Sequence, residues 1–220
     1  MEKVVIIGAG GFGREILDIF IAENKVSQKW KVLGFVDENP KLHGQILNGY
    51  PVLGSFDWFK TINSKEVKVV VAIGDNKVRK KVVEKAKDQG LAFCNIVHPS
   101  VIMTPFVSMG EGVIITAGVI LTNRIKIGNH VIINLDVTIG HDTVIEDFVN
   151  LNPGVHINGN NKIGEGTYIG SGAVTIQDIS IGKWSIVGAG AVVIRDVPDS
   201  VVAVGVPAEV KKALKKPVEV

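Results

Sequence analysis

From Val97 to Pro198 the apolar positions recur every six residues, without an insertion or a skip. Cut at Val97, the hexads open VHPSVI, MTPFVS, MGEGVI, ITAGVI and close IGKWSI, VGAGAV, VIRDVP. The first position is aliphatic or Met in all 17 hexads except at Thr175, and the second is Gly in seven of them. The fifth is mostly Val or a small residue. A period of six fits neither a helix nor a simple alternating strand. It suits a chain that makes a short straight run, turns and repeats, stacking triangular coils whose inner faces the aliphatics fill. With three hexads to a coil, residues 18 apart lie one above another.

Before residue 96 the pattern is different. Val4 to Ile7 is a short apolar run of strand type, followed by the turn Gly8-Ala9-Gly10-Gly11-Phe12-Gly13. Arg14 to Asn24 then places Ile16, Leu17, Phe20 and Ile21 at helical spacing. Val32 to Val36 predicts a second strand, ending in Asp37-Glu38-Asn39-Pro40. Val67 to Ile73 predicts a third, followed by Gly74-Asp75-Asn76 and a helix over Lys77 to Gln89. Leu91 to Ile96 predicts a last strand leading into the repeats. Strands alternating with helices predict a small parallel α/β sheet. The division is therefore 1–95, a small Rossmann-like α/β domain, and 96–220, the coil domain with a short C-terminal tail. No flexible linker separates them, so packed rather than tethered domains are expected.

Composition narrows the picture. Hydrophobic residues make up 46% of 220, yet no apolar stretch approaches the ~20 residues of a membrane span. Glycines interrupt the opening MEKVVIIGAG before it can form a signal peptide's apolar region. A net charge of +2 leaves no nucleic-acid footprint, and neither nucleic acid nor membrane is expected as a partner. The basic runs Lys77 to Lys87 and Lys211 to Lys216 read as solvated faces, the second also suiting a phosphate-bearing ligand. A single cysteine, Cys94, excludes an internal disulfide and fits a reducing, cytoplasmic setting.

The loop GAGGFG satisfies G-x-G-x-x-G, follows a strand and opens a helix, a geometry that holds phosphate on backbone N–H groups. Asp37, ending the second strand, sits where a carboxylate would accept from a ribose. Three readings stay open. One is a dehydrogenase, although about 95 residues are too few for both halves of a dinucleotide domain. Another is a nucleotide-linked substrate on half of that fold. The third is a turn needed only for tight strand–helix packing.

His141 holds the third, outward position of IGHDTV, with Gly159 one coil above it and Asn123 one coil below. An imidazole is thus set beneath a residue without a side chain, and the adjacent Asp142 can fix its tautomer and raise its basicity. The other reading is a surface histidine on a turn. A zinc site of the γ-carbonic-anhydrase kind needs three converging histidines. His130, His141 and His156 occupy hexad positions four, three and six, so no metal is expected.

Taken end to end, the order GAGGFGRE, VLGFVDEN, VAIGDNKVR, NIVHPS, GHD around His141 and VGVPAEV resembles the NeuD/PglD-like hexapeptide-repeat sugar acyltransferases. The resemblance implies a left-handed parallel β-helix, a homotrimer with active sites between subunits, acetyl-CoA as donor, and the 4-amino group of a nucleotide-linked deoxysugar as acceptor. It implies His141 as general base supported by Asp142, the Gly159 N–H on the thioester carbonyl, and Asn134, seven residues before the histidine, in the acceptor pocket. It places the nucleotide sugar against Gly8, Gly10, Gly11, Phe12, Arg14, Asp37, Gly74 and Asp75. It places the donor against Asn150, Gly159, Gly170, Gly188 and Arg195. Three positions depart from the pattern: Phe12 and Asn150 stand where relatives carry histidines, and Glu209 replaces the lysine of GVPAK. Basic contact to CoA phosphates then falls to Arg195, Lys211 or Lys212. A sugar O-acetyltransferase and a non-catalytic nucleotide-sugar scaffold remain as alternatives.

Overall fold

The protein is described by a computed structural model covering residues 1–214, and its internal contacts divide the chain into two compact units, Met1–Pro99 and Ser100–Val220. The last two lysines of the terminal basic run, Lys215 and Lys216, lie outside the described residues.

The first unit is a parallel sheet with an antiparallel hairpin at its edge. Its elements are β1 (Glu2–Ile7), α1 (Gly11–Ser27), β2 (Trp30–Val36), β3 (Ile46–Leu47), β4 (Tyr50–Gly54), β5 (Val67–Val71), α2 (Asn76–Asp88) and β6 (Ala92–Phe93), with strand order β3-β4-β2-β1-β5-β6. Central β1 buries Val4 to Ile7, reading as the continuous apolar run of a strand covered on both faces. α1 buries Ile16, Leu17, Ile19 and Phe20, and Phe20 meets Trp30 edge-on at 5.5 Å. These residues define the core of the unit.

Three features depart from the sequence expectation. α1 opens directly at Gly11 with Gly10 as its cap and runs on to Ser27, a full turn longer than the apolar spacing suggested. β3 and β4 were not expected at all. Their signal is Asn48-Gly49 between Ile46-Leu47 and Tyr50-Pro51-Val52: both residues have positive φ, 48° and 85°, as a two-residue hairpin turn requires. The run Leu91 to Ile96 is two strands rather than one. The Leu91 N–H is still bonded to Ala86 O at the helix end, and Cys94-Asn95, with Cys94 buried, separates Ala92–Phe93 from Ile96–Val97. Among the described residues no helix is long and apolar enough to cross a membrane.

The second unit is a left-handed parallel β-helix of two-residue strands. Pairings along its coils offset residues by 18, as Ile114 with Ile132, Ile120 with Thr138, Lys126 with Val144 and Thr138 with His156, up to the last turn, where Ile181 bridges Val197 and Ile186 pairs Val202 at an offset of 16. The hexad frame is therefore the structural frame. Sixth and first positions form the strand, and first-position residues such as Ile133, Ile139, Ile145, Leu151 and Ile163 are buried. The fourth position makes the turn. From Gly112 to Gly190 it always has positive φ, including Arg124, His130, Asp136, Asp142, Phe148, Asn160, Asp178 and Trp184. Second-position glycines lie where coils stack closely; a Cβ on Gly164 would stand 2.7 Å from the backbone N of Lys183. Of these two rules the sequence displayed only the glycines, because at the fourth position geometry is shared while residue type is not.

Candidate active site

In the first unit the glycine loop, Asp37 and the Gly74-Asp75 turn all follow parallel strands, β1, β2 and β5, and so share the carboxyl edge of the sheet. That edge, where strand order reverses beside β1, is where open α/β sheets bind ligands. The glycines there are not equivalent. Gly8 has φ of 109°, and a Cβ on it would meet Ala72 O at 2.8 Å. A Cβ on Gly13 would overlap Gly8 O. These two are required by packing. Around Gly10 and Gly11 a Cβ meets nothing within 4 Å, so the fold itself does not demand glycine at either. They border open space at the N-terminus of a 17-residue helix whose cap receives no side-chain hydrogen bond.

Asp37 is a brace for this loop. Its Oδ2 accepts from Ala9 N at 2.8 Å and its Oδ1 from Asn39 N at 2.9 Å, while His43 Nε2 lies 2.8 Å from the Asp37 carbonyl. Asp75 caps α2 through its Oδ1 on Val78 N, 2.8 Å. Phe12 is half-buried and Arg14 exposed on the first turn of α1. Sequence reasoning missed Arg79, which is 1% exposed. Its guanidinium donates to Ile73 O at 2.8 Å and Gly74 O at 3.3 Å, fixing the turn that carries Asp75. Burial pushes Arg79 down to about 9, with the Asp75 carboxylate acting in the opposite direction.

In the β-helix, His141 and Asp142 form one turn between the strands Thr138–Ile139 and Val144–Ile145. Asp142 has φ of 58°, and its Oδ2 lies 2.9 Å from His141 Nδ1. A carboxylate can only accept, so Nδ1 carries the proton and Nε2 of the neutral ring is left as an acceptor. That nitrogen faces Gly159: a Cβ there would lie 2.7 Å from Nε2 and 2.8 Å from Cε1. The imidazole, 67% exposed, occupies the space an ordinary side chain at 159 would fill.

The Gly159 N–H donates no hydrogen bond among the described residues, unlike its counterparts on another edge of the coil. There the third-position N–H groups of Glu111, Asn129 and Lys183 are met by Asn129, Asp147 and Asp199 at 3.0, 2.7 and 2.7 Å. Behind the site, Asn161 and Thr143 are buried. Asn161 Nδ2 donates to Asn158 O (2.7 Å), Thr175 Oγ1 (2.9 Å) and Ile176 O (3.0 Å), and Thr143 Oγ1 donates to Asn158 O at 3.3 Å. This network explains Thr175, the single polar residue at an inner first position.

Arg124, also missed in the sequence, forms an ion pair with Asp142, its Nε 3.2 Å from Oδ1; its signal was its place 18 residues before Asp142. Arg195 is exposed in the same third-position column as His141, three coils on, about 14 Å at the usual strand spacing. Asn134 spends its Oδ1 on Leu135 N, 2.8 Å, and makes no hydrogen bond to His141 among the described residues. Asn150 is buried with its Nδ2 3.3 Å from Asn152 Oδ1 and its own Oδ1 unpartnered. Gly170 and Gly188 have packing reasons, against Ala189 N at 2.5 Å and Val204 Cγ1 at 2.6 Å. Glu209 is held by Lys211 at 2.8 Å. No three His, Cys, Asp or Glu side chains among the described residues are grouped to hold a metal. His156 instead bonds Thr138 Oγ1 at 2.8 Å. Burial pushes the Cys94 thiol up to about 12, so it is no nucleophile.

A model of the PglD N-terminal domain matches residues 3–86. The chain is 34% identical over 119 residues to the GDP-perosamine N-acetyltransferase of Escherichia coli O157:H7, a match over 53% of this chain and 52% of the relative. It thus spans about half the length of the curated relatives it matches. Two solved structures superpose almost completely. One is a histidine-to-asparagine variant of the perosamine N-acetyltransferase from Caulobacter crescentus in complex with CoA and GDP-perosamine: 36% identity, TM-score 0.89, covering 96% of this chain and 97% of that one. The other is the acetyltransferase domain of PglB from Neisseria gonorrhoeae in complex with acetyl coenzyme A: 30% identity, TM-score 0.86, covering 96% and 99%. The chain belongs to the NeuD/PglD-like family of hexapeptide-repeat sugar acetyltransferases.

Proposed function

We propose that this protein transfers the acetyl group of acetyl-CoA to the amino group, at C4, of a nucleotide-linked amino-deoxysugar, directly and without a covalent enzyme intermediate. The observation that carries the reading is the His141 ring, protonated on Nδ1 by its bond to Asp142 and open on Nε2 beside the uncommitted N–H of Gly159. A base and an oxyanion donor then flank one point in space. The acceptor nitrogen attacks the thioester carbonyl while His141 Nε2 takes its proton. The Gly159 N–H holds the oxyanion of the tetrahedral intermediate. Its collapse breaks the C–S bond, and the imidazolium returns the proton to the departing CoA thiolate.

In this reading Gly8, Gly10, Gly11, Arg14, Asp37, Gly74 and Asp75 hold the nucleotide sugar, Gly10 and Gly11 by close approach and Asp37 by bracing the loop. Phe12 belongs to the loop that binds the substrate, and Asn134 contributes to acceptor binding in the coil domain. Asn150, Gly159 and Arg195 hold the donor, with Gly170 and Gly188 contributing backbone. The protein works as a homotrimer with sites between subunits. The direct test is thiol release from acetyl-CoA against a panel of UDP-, GDP- and dTDP-linked amino sugars, with hydroxyl sugars alongside. Release with an amino sugar and a product heavier by one acetyl group on nitrogen is expected. Release only with hydroxyl sugars would replace the reading by O-acetylation, and no release with any of them would leave a binding protein.

A further inference from the structure

Beyond the His141–Asp142 pair and Gly159, one charged side chain is built into the same turn. Arg124 and Asp142 both hold the fourth hexad position, with φ of 56° and 58°, one coil apart. Their side chains leave neighbouring coils in parallel, so their ion pair follows from the register. The carboxylate is consequently engaged on both oxygens, Oδ1 by Arg124 Nε at 3.2 Å and Oδ2 by His141 Nδ1 at 2.9 Å. A carboxylate bound on one side only can swing about its side-chain torsions and leave the imidazole free to rotate or change tautomer.

We propose that Arg124 is a positioning residue, pinning one oxygen of Asp142 so that the other stays on Nδ1 of His141 and Nε2 stays turned to Gly159. The proposal rests on the reading of His141 as the base. Arg124 is 78% exposed, and exposed ion pairs add little to fold stability. Its effect is therefore sought in the imidazole. Asp142 and, through it, Arg124 are the charged groups set against that ring. Asn123 below and Gly159 and Asn160 above are uncharged, and Asp178 on the next coil is bonded to Asn160 Nδ2 at 2.6 Å. Without the guanidinium nothing holds the second oxygen of the carboxylate, so Asp142 is free to turn away from Nδ1 and the ring to exchange its tautomer.

NMR of the full chain, labelled at the histidine rings, tests this without any substrate. The His141 resonances are assigned by their loss in His141→Asn. In the wild type the neutral ring is expected as the Nδ1–H tautomer. Arg124→Gln should shift part of the neutral population to Nε2–H, and Arg124→Lys should restore most of the Nδ1–H form. In an Asp142→Asn background, Arg124→Gln should do nothing further to the tautomer. A tautomer population unchanged by Arg124→Gln overturns the proposal, as does an equal effect in the Asp142→Asn background. Failure of the parent reading is separately visible: His141→Ala with full turnover removes the base, and with it any reason to position it.

Discussion

Gly159 and His141 compete for one space, and the protein settles the competition by giving residue 159 no side chain. Gly159 does not have the left-handed φ that would by itself strain another residue there; the constraint is the ring 2.7 Å from where a Cβ would stand. Gly159→Ala should therefore fold, because an exposed imidazole can move aside. It should lose roughly tenfold to a thousandfold in kcat, since base and oxyanion donor are both displaced. Steady-state kinetics with a melting curve check this, and an alanine variant with wild-type kcat would show that the space has no catalytic use. Counting in sixes and eighteens sufficed to find the pair in the sequence. The same count reaches Arg124, but a lone arginine among polar turn residues gives no sign of its partner until side-chain direction is known. Asp37 marks the opposite limit. Its placement after β2 was legible, while its two bonds to backbone N–H groups, which make it a brace, were not.

At the scale of elements the glycine loop separates into two functions. Gly8 lets the end of β1 approach Ala72 after β5, Gly13 lets α1 approach the carbonyl of Gly8, and Gly10 and Gly11 face open space. Gly13→Ala forces a Cβ onto a backbone carbonyl, and overpacking of that kind costs about 1–3 kcal/mol or more; urea unfolding should show a loss of at least about 2 kcal/mol. Gly11→Ala should stay within about 1 kcal/mol of the wild type yet raise KM for the nucleotide-linked substrate. Equal stability losses in both variants would mean that all four glycines serve packing alone. The hexad coils were legible up to their last turn, where the offset shortens to 16 although the sixfold pattern runs on to Pro198. Every earlier turn repeats one geometry, whereas the first unit has no repeat to average over. Its hairpin rests on Asn48-Gly49 alone. The break at Cys94-Asn95 leaves no trace in an apolar run that reads the same as a single strand.

At the scale of the molecule, stacked coils turn sequence register into rows of side chains along each face. The outer row through Ile102, Ile120, Thr138, His156, Val174 and Val192 is largely apolar, with Ile102 63% and Ile120 39% exposed. The proposed homotrimer would cover such a row, and sedimentation should give the mass of three chains. Ile120→Glu should shift that mass to one chain while leaving the coil intact by circular dichroism; a monomeric wild type would refute the trimer. Catalysis in this protein depends on the 18-residue register delivering a working base. The most direct measurement is kcat of His141→Ala with both substrates saturating, alongside its melting temperature. A fall of roughly 10²–10⁴, with the melting temperature and both KM values near those of the wild type, is the predicted result. Full turnover by a folded His141→Ala protein would contradict it.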